Sequence, residues 1–275
     1  MKAVFSFWDT TNNLLINATN WLNPKFHLYS WVLSVTQAAK FFEEVELVTT
    51  SDMKVFFENL NLPFTNIRTD LDELSEMPKS FWSLGKIKAY EIQDKPFIHI
   101  DADVILYKNL PKEILNSELA FQNLEPADWF ERCYEHNWNL INEKGLVTKN
   151  WNNIKEAYCM GFYVCNNMDY NKEYCKQVMD LALNNKDLMI KSGSNYENTF
   201  CLLFEQYIAQ TVATQMNIKP SFLLPHENLN LAVMLGYVHI WGGKHSQDWF
   251  KNIEDIVLTQ YPKHYKLINN LCSNT

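Results

Sequence analysis

The segment Pro96-Phe97-Ile98-His99-Ile100-Asp101-Ala102-Asp103-Val104 constrains this chain more than any other stretch of it. An apolar run that stops on two carboxylates one residue apart reads as a buried strand with acidic groups at its carboxyl end. The signals before it alternate. Strand patterns at residues 3–8, 45–48 and 64–67 are separated by helical patterns at 28–42, 53–60 and 80–92. Such alternation predicts an α/β fold with a mainly parallel sheet flanked by helices, and right-handed crossovers then put ligand sites at the carboxyl ends of the strands. Asp101 and Asp103 stand at such an end. The helix at 80–92 is expected to expose Lys86 and Lys88 opposite its apolar positions.

The second half is less regular. It offers a strand at 158–164, helices near 170–183 and 204–216, and a last strand near Val238. With 275 residues, 47% of them hydrophobic, and no repeat or linker, the expectation is one domain over 1–275. Residues 1–107 form its nucleotide-binding half, and 108–275 an acceptor-side half that shares the core.

A formal charge of -8 argues against a nucleic-acid partner, because phosphate neutralisation needs clustered Lys and Arg. An acidic chain that handles a phosphorylated ligand needs a local device, and a metal ion is one. The apolar N-terminal run is cut by Asp9, and no stretch approaches the roughly 20 apolar residues of a membrane span, so no transmembrane segment is expected. The expected compartment is the cytoplasm, with peripheral membrane association left open. Six cysteines without a close Cys-x-x-Cys pair read as reduced, mostly buried thiols. The sequon Asn17-Ala18-Thr19 reads as coincidence without secretion.

Two carboxylates flanking Ala102 can turn their oxygens toward one hard cation. The bland alternative is an acidic turn after a strand. The residues that follow, Val104-Ile105-Leu106-Tyr107, would make a poor solvated turn.

Four islands in order along the chain resemble GT-A glycosyltransferases, in particular the family of glycogenin and the bacterial lipopolysaccharide galactosyltransferases. They are Phe97 to Asp103, Tyr158-Cys159-Met160-Gly161-Phe162-Tyr163-Val164, Glu205-Gln206, and His239-Ile240-Trp241-Gly242-Gly243-Lys244. The resemblance implies a GT-A fold, in which Asp101, Ala102 and Asp103 form the DXD motif. It further implies that Asp101, Asp103 and His239 ligate Mn²⁺ or Mg²⁺, that Gly242, Gly243 and Lys244 meet the donor phosphates, and that Gly161 lines a sugar site. Glu205 and Gln206 resemble the catalytic acidic-Gln pair that opens a helix beneath the sugar, and Lys86 the basic residue near the donor. Trp8, Thr10 and Thr50 lie where such proteins seat the base and ribose. The chemistry agrees: an imidazole suits Mn²⁺, glycines admit a phosphate, and an ammonium supplies point charge.

The chain departs from the family where Cys159 replaces an expected Asn, a role Asn166 could supply, and where Glu205 replaces the commoner Asp. Lys88 competes with Lys86, core packing is the alternative for Trp8, and His99 reads as a core residue. The implied activity moves a hexose from a nucleotide sugar, UDP-linked in this reading, to a carbohydrate, lipid-linked or protein hydroxyl with retention. The alternatives are a non-catalytic carbohydrate- or nucleotide-binding relative and a sugar nucleotidyltransferase. The latter usually carries a Gly-rich basic loop after its first strand, and residues 7–15 contain neither glycine nor a basic residue.

Overall fold

The computed structural model describes residues 1–8, 21–125, 127–146, 155–191, 200–226 and 228–273. Thr10, the sequon and the end of the aromatic-rich stretch near Trp151 lie outside them. Among the described residues the strands are β1 Lys2–Ser6, β2 Val45–Val48, β3 Asn66–Arg68, β4 Phe97–Ile100, β5 Val104–Leu106, β6 Leu119–Leu124, β7 Tyr158–Cys165, β8 Ser221–Phe222 and β9 Tyr237–His239. The chain gathers into two compact units. The first comprises Met1–Thr69, Ile100–Leu110 and Leu229–Thr275, and the second Asp70–His99 and Pro111–Asn228.

In the first unit the strands run in the order β3-β2-β1, all parallel, and β5 pairs antiparallel with β9. Val45–Val48 is buried at every position, as a strand covered on both faces must be. Helix α1, Pro24–Ala38, starts four residues before the periodicity suggests. Asn23 caps it by accepting the Phe26 N–H at 2.9 Å, and Pro24 takes the first helical position, where no amide hydrogen is needed. It stops at Ala38 because Lys40 and Phe41 turn back on Gln37 and Ala38 with tighter bonds.

Eleven of the fifteen α1 residues are buried, so the helix is enclosed by β5 and by the C-terminal helices Gln247–Gln260 and Pro262–Ser273 rather than half solvated. Phe5, Phe7, Trp31, Phe57 and Phe64 form its aromatic core, with ring centroids 4.8–6.1 Å apart. Burial of Phe5 and of Phe57 contributes about 1.5–3 kcal/mol each. Helix α2, Ser51–Leu60, ends on Asn61 at φ 54°, a left-handed cap that Asn tolerates well.

In the second unit the strand order is β4-β7-β6-β8, with β6 antiparallel to β7 and parallel to β8. β6 and β8 were not legible in the sequence: one is buried without alternation and the other is two residues long. Helix α3, Leu84–Glu91, packs on the long helix Met168–Lys191, which outruns the expected 170–183. The fold is mixed α/β: its seven sheet strands are mostly parallel and helices flank them, the arrangement that the GT-A resemblance implies. The six cysteines are not joined in disulfides, and four of them are buried.

Candidate functional site

β4 ends at Ile100, and the next three residues turn tightly, with the Val104 N–H returning to the Asp101 carbonyl at 2.9 Å. The chain then enters β5, a separate strand that pairs with β9 so that Val104 faces His239. One residue on, the Ile240 N–H donates to the Asp103 carbonyl at 2.9 Å. This register carries His239 to the acidic turn. One ligand atom from each of Asp101, Asp103 and His239 lies within 4.8 Å of the others. With metal–oxygen bonds of about 2.0–2.6 Å, ligands of one ion stand at most about 4–5 Å apart, so the three fit a single divalent cation.

Asp103 is 6% exposed. Its Oδ2 lies 2.6 Å from Lys244 Nζ and 3.5 Å from His239 Nε2. Burial raises its pKa, but the Lys244 ammonium and the His239 imidazole outweigh that and hold the carboxyl well below the usual range. It is therefore a carboxylate at neutral pH. Lys244 also lies 5.3 Å from the Trp21 ring centroid, and its carbonyl accepts the Leu22 N–H. Trp21 stacks on His27 at 5.1 Å. The Trp31 indole donates to His27 Nε2 at 3.1 Å, while burial first and Lys244 second lower the His27 pKa to about 3.

The two glycines of the Trp241–Gly243 turn differ. A Cβ on Gly243 would meet the Trp249 ring at 2.8 Å, whereas one on Gly242 would meet nothing within 4 Å. Gly243 is required by packing and Gly242 presents open backbone. Trp8 follows β1 and is 8% exposed. Thr50 takes the cap position of α2 without a side-chain cap bond. Between these positions, Thr49 Oγ1 donates to the Phe7 carbonyl at 2.6 Å and ties the ends of β1 and β2 together.

In the second unit Lys86 and Lys88 are not the solvated face expected, being 17% and 14% exposed. Each holds carboxylates. Lys86 Nζ is 2.7 Å from Glu205 Oε1, itself 2% exposed, and Lys88 pairs with Glu73 and Glu91. Glu205 and Gln206 do not open a helix; they lie within a helical run in the π turn Leu203–Tyr207. The Tyr174 hydroxyl donates to the Glu205 carbonyl at 2.7 Å, satisfying an oxygen of the distorted turn, and the Tyr134 hydroxyl donates to Gln206 Oε1.

Gly161 sits in the fully buried β7, where the pairing with β6 slips between Phe121 and Asn123. Asn166, the amide read beside Cys159, donates its side-chain NH2 to the Leu115 and Ser117 carbonyls at 2.9 and 2.7 Å. Asn123 faces Cys159 across the pairing, and its side chain is committed as well: it donates to the Leu124 carbonyl at 3.0 Å and accepts from Gln122 at 3.0 Å. His99 is the core residue expected: it is 1% exposed, lies 3.4 Å from the Tyr90 hydroxyl, and has a pKa that burial and Lys86 lower.

Sequence reasoning missed Ser30 and Ser34, which bond to the acidic turn, and Trp21 and His27, of which Trp21 lies beside Lys244 and stacks on His27. The one signal for the serines was their i, i+4 spacing within the apolar stretch Leu28–Val35.

The profile of a family of unknown function (DUF6734) matches residues 1–271. Among solved structures the chain is similar to the galactosyltransferase LgtC in complex with donor and acceptor sugar analogues, at 16% identity over 74% of this chain and 70% of that one, with a TM-score of 0.40. It is also similar to mouse xyloside xylosyltransferase 1, at 8% identity over 80% and 84% of the two chains, TM-score 0.36. A third similarity is to the glycosyltransferase GlyE of Streptococcus pneumoniae TIGR4, at 10% identity over 94% and 63%, TM-score 0.34. No curated protein matches.

Proposed function

The chain belongs to the family of unknown function DUF6734, and we propose that it is a metal-dependent glycosyltransferase that moves a hexose from a UDP-linked donor to a hydroxyl acceptor with retention. One observation carries this reading: Asp101, Asp103 and the sequence-distant His239 offer ligand atoms within 4.8 Å of one another at the end of a buried strand.

In this proposal Asp101, Asp103 and His239 hold Mn²⁺, which the imidazole favours, with Mg²⁺ as the alternative. A cation held there would neutralise the charge that grows on the departing nucleoside diphosphate. Lys244 supports the assignment because its ammonium, 2.6 Å from Asp103, is in reach of the same anions. Ala102 joins the two carboxylates, and the open backbone at Gly242 admits a phosphate. Gly243 keeps its place in the phosphate loop through Trp249. Trp8 and Thr50, with Thr10, are assigned to base and ribose. Gly161, Lys86 and the catalytic pair Glu205 and Gln206 are assigned to the sugar, and the resemblance alone supports that part and the stereochemistry. The acceptor is a carbohydrate, lipid-linked or protein hydroxyl. No helix among the described residues is long and apolar enough to cross a membrane.

The test is a panel of nucleotide sugars incubated with the protein in Mn²⁺, in Mg²⁺ and in a chelator, with release of nucleoside diphosphate as readout. Metal-dependent release from a UDP-hexose is expected. Binding of UDP without release from any donor would instead favour the non-catalytic relative.

A further inference from the structure

We infer that Ser30 and Ser34 are positioning residues that hold the backbone of 101–104 in the shape that lets Asp101 and Asp103 share one cation, an inference that rests on the metal assignment above. Both side chains are fully buried, one helical turn apart on the same face of α1. The Ser30 hydroxyl donates to the Ala102 carbonyl at 2.6 Å. The Ser34 hydroxyl donates to the Val104 carbonyl at 2.5 Å, with the Asp101 carbonyl at 3.3 Å.

A hydroxyl inside a helix has a local partner at hand, the carbonyl four residues back. Thr36 uses it, donating to Val32 at 2.5 Å. Ser30 and Ser34 instead reach across to the turn between β4 and β5, which shows where donors are needed. The other turn carbonyl bonds come from the Val104 and Ile240 amides, to Asp101 and Asp103. Every carbonyl from 101 to 104 therefore has a donor, two of them from α1 and one from the residue after His239.

The consequence concerns metal affinity. A turn gripped from both sides has its carboxylates arranged before a cation arrives, so binding does not have to order the backbone. Removing the hydroxyls leaves all three ligands present but frees the peptide planes that aim them. The effect then falls on affinity while the ligand set stays intact.

The experiment titrates Mn²⁺ into the full chain and follows free Mn²⁺ by electron paramagnetic resonance, alongside thermal unfolding without metal. It compares the wild type with Ser30→Ala, Ser34→Ala, the double variant, Asp103→Ala, and Thr36→Val as a helix-hydroxyl control. Loss of a group that orients a metal ligand weakens binding about 10- to 100-fold, so each single variant is expected to weaken Mn²⁺ about 10-fold and the double variant more. Thr36→Val is expected to bind as the wild type does. A merely structural role lowers the unfolding midpoint without changing the affinity of folded protein. Single variants that bind Mn²⁺ like the wild type, while Asp103→Ala does not bind, overturn this inference and leave the metal assignment standing. A wild type without saturable binding overturns both. Should the double variant not fold, the single variants decide.

Discussion

Lys244 Nζ lies 2.6 Å from Asp103 Oδ2, and this contact keeps a buried carboxylate charged beside Asp101 and His239, the two other groups that could hold a cation. It links the strand-end motif to the C-terminal glycine turn within one unit.

Asp103→Ala removes a ligand and the partner of Lys244 together. Losing a residue that only orients a metal ligand costs about 10- to 100-fold, so losing the ligand itself is expected to lower Mn²⁺-dependent nucleotide release by more than that, with the fold kept. Initial rates and circular dichroism of the variant check this. Full activity in the variant would defeat the metal assignment, and a chelator acting on the wild type is expected to reproduce the loss.

Gly242 and Gly243 are expected to answer differently to the same methyl group. Gly243→Ala drives a Cβ into the Trp249 ring and is expected to lower the unfolding midpoint. Gly242→Ala meets no protein atom and is expected to leave the unfolding midpoint unchanged while raising the donor KM. Equal midpoints for the two variants contradict the packing account.

Stability is expected to fall on mild acidification because of His27. Its pKa is lowered from 6.5 to about 3, so the folded state resists a proton that the unfolded chain accepts. The sign follows: this stability is complete above pH 6.5 and is lost progressively as pH drops from 6.5 toward 3. His99, lowered by burial and Lys86, acts in the same direction. Denaturant unfolding of wild type and His27→Gln across that range is expected to show a shallower pH dependence in the variant.

Lys86→Met deprives Glu205, 2% exposed, of its ion-pair partner. Breaking one side of a buried pair costs about 3–5 kcal/mol, more than removing both charges does. The double variant Lys86→Met/Glu205→Gln is therefore expected to unfold at a higher temperature than Lys86→Met alone. The opposite order would show that the pair does not hold this part of the second unit.

Some elements were legible because their information is local. β2 was read at its observed bounds, and β4 was recognisable as an apolar run ending on Asp101. The glycine turn could be noted from its residues alone. The π turn was not legible, since a one-residue excess in a helical run leaves no mark in an apolar pattern, and Glu205-Gln206 read as a helix start instead. Lys86 read as solvated for a related reason: its carboxylate partner Glu205 lies far away in the chain, and so does Glu73, one of the two partners of Lys88.

By itself the sequence determined which residues are chemically able to hold a cation, and that two of them follow a buried strand, because residue type and short-range periodicity set those properties. Only the tertiary structure decided that His239 meets them, since the β5–β9 register joins segments far apart in the chain. It also decided what Ser30 and Ser34 do. A serine in an enclosed helix can bond backward to its own turn or outward to another segment, and the choice depends on which carbonyls packing brings within reach.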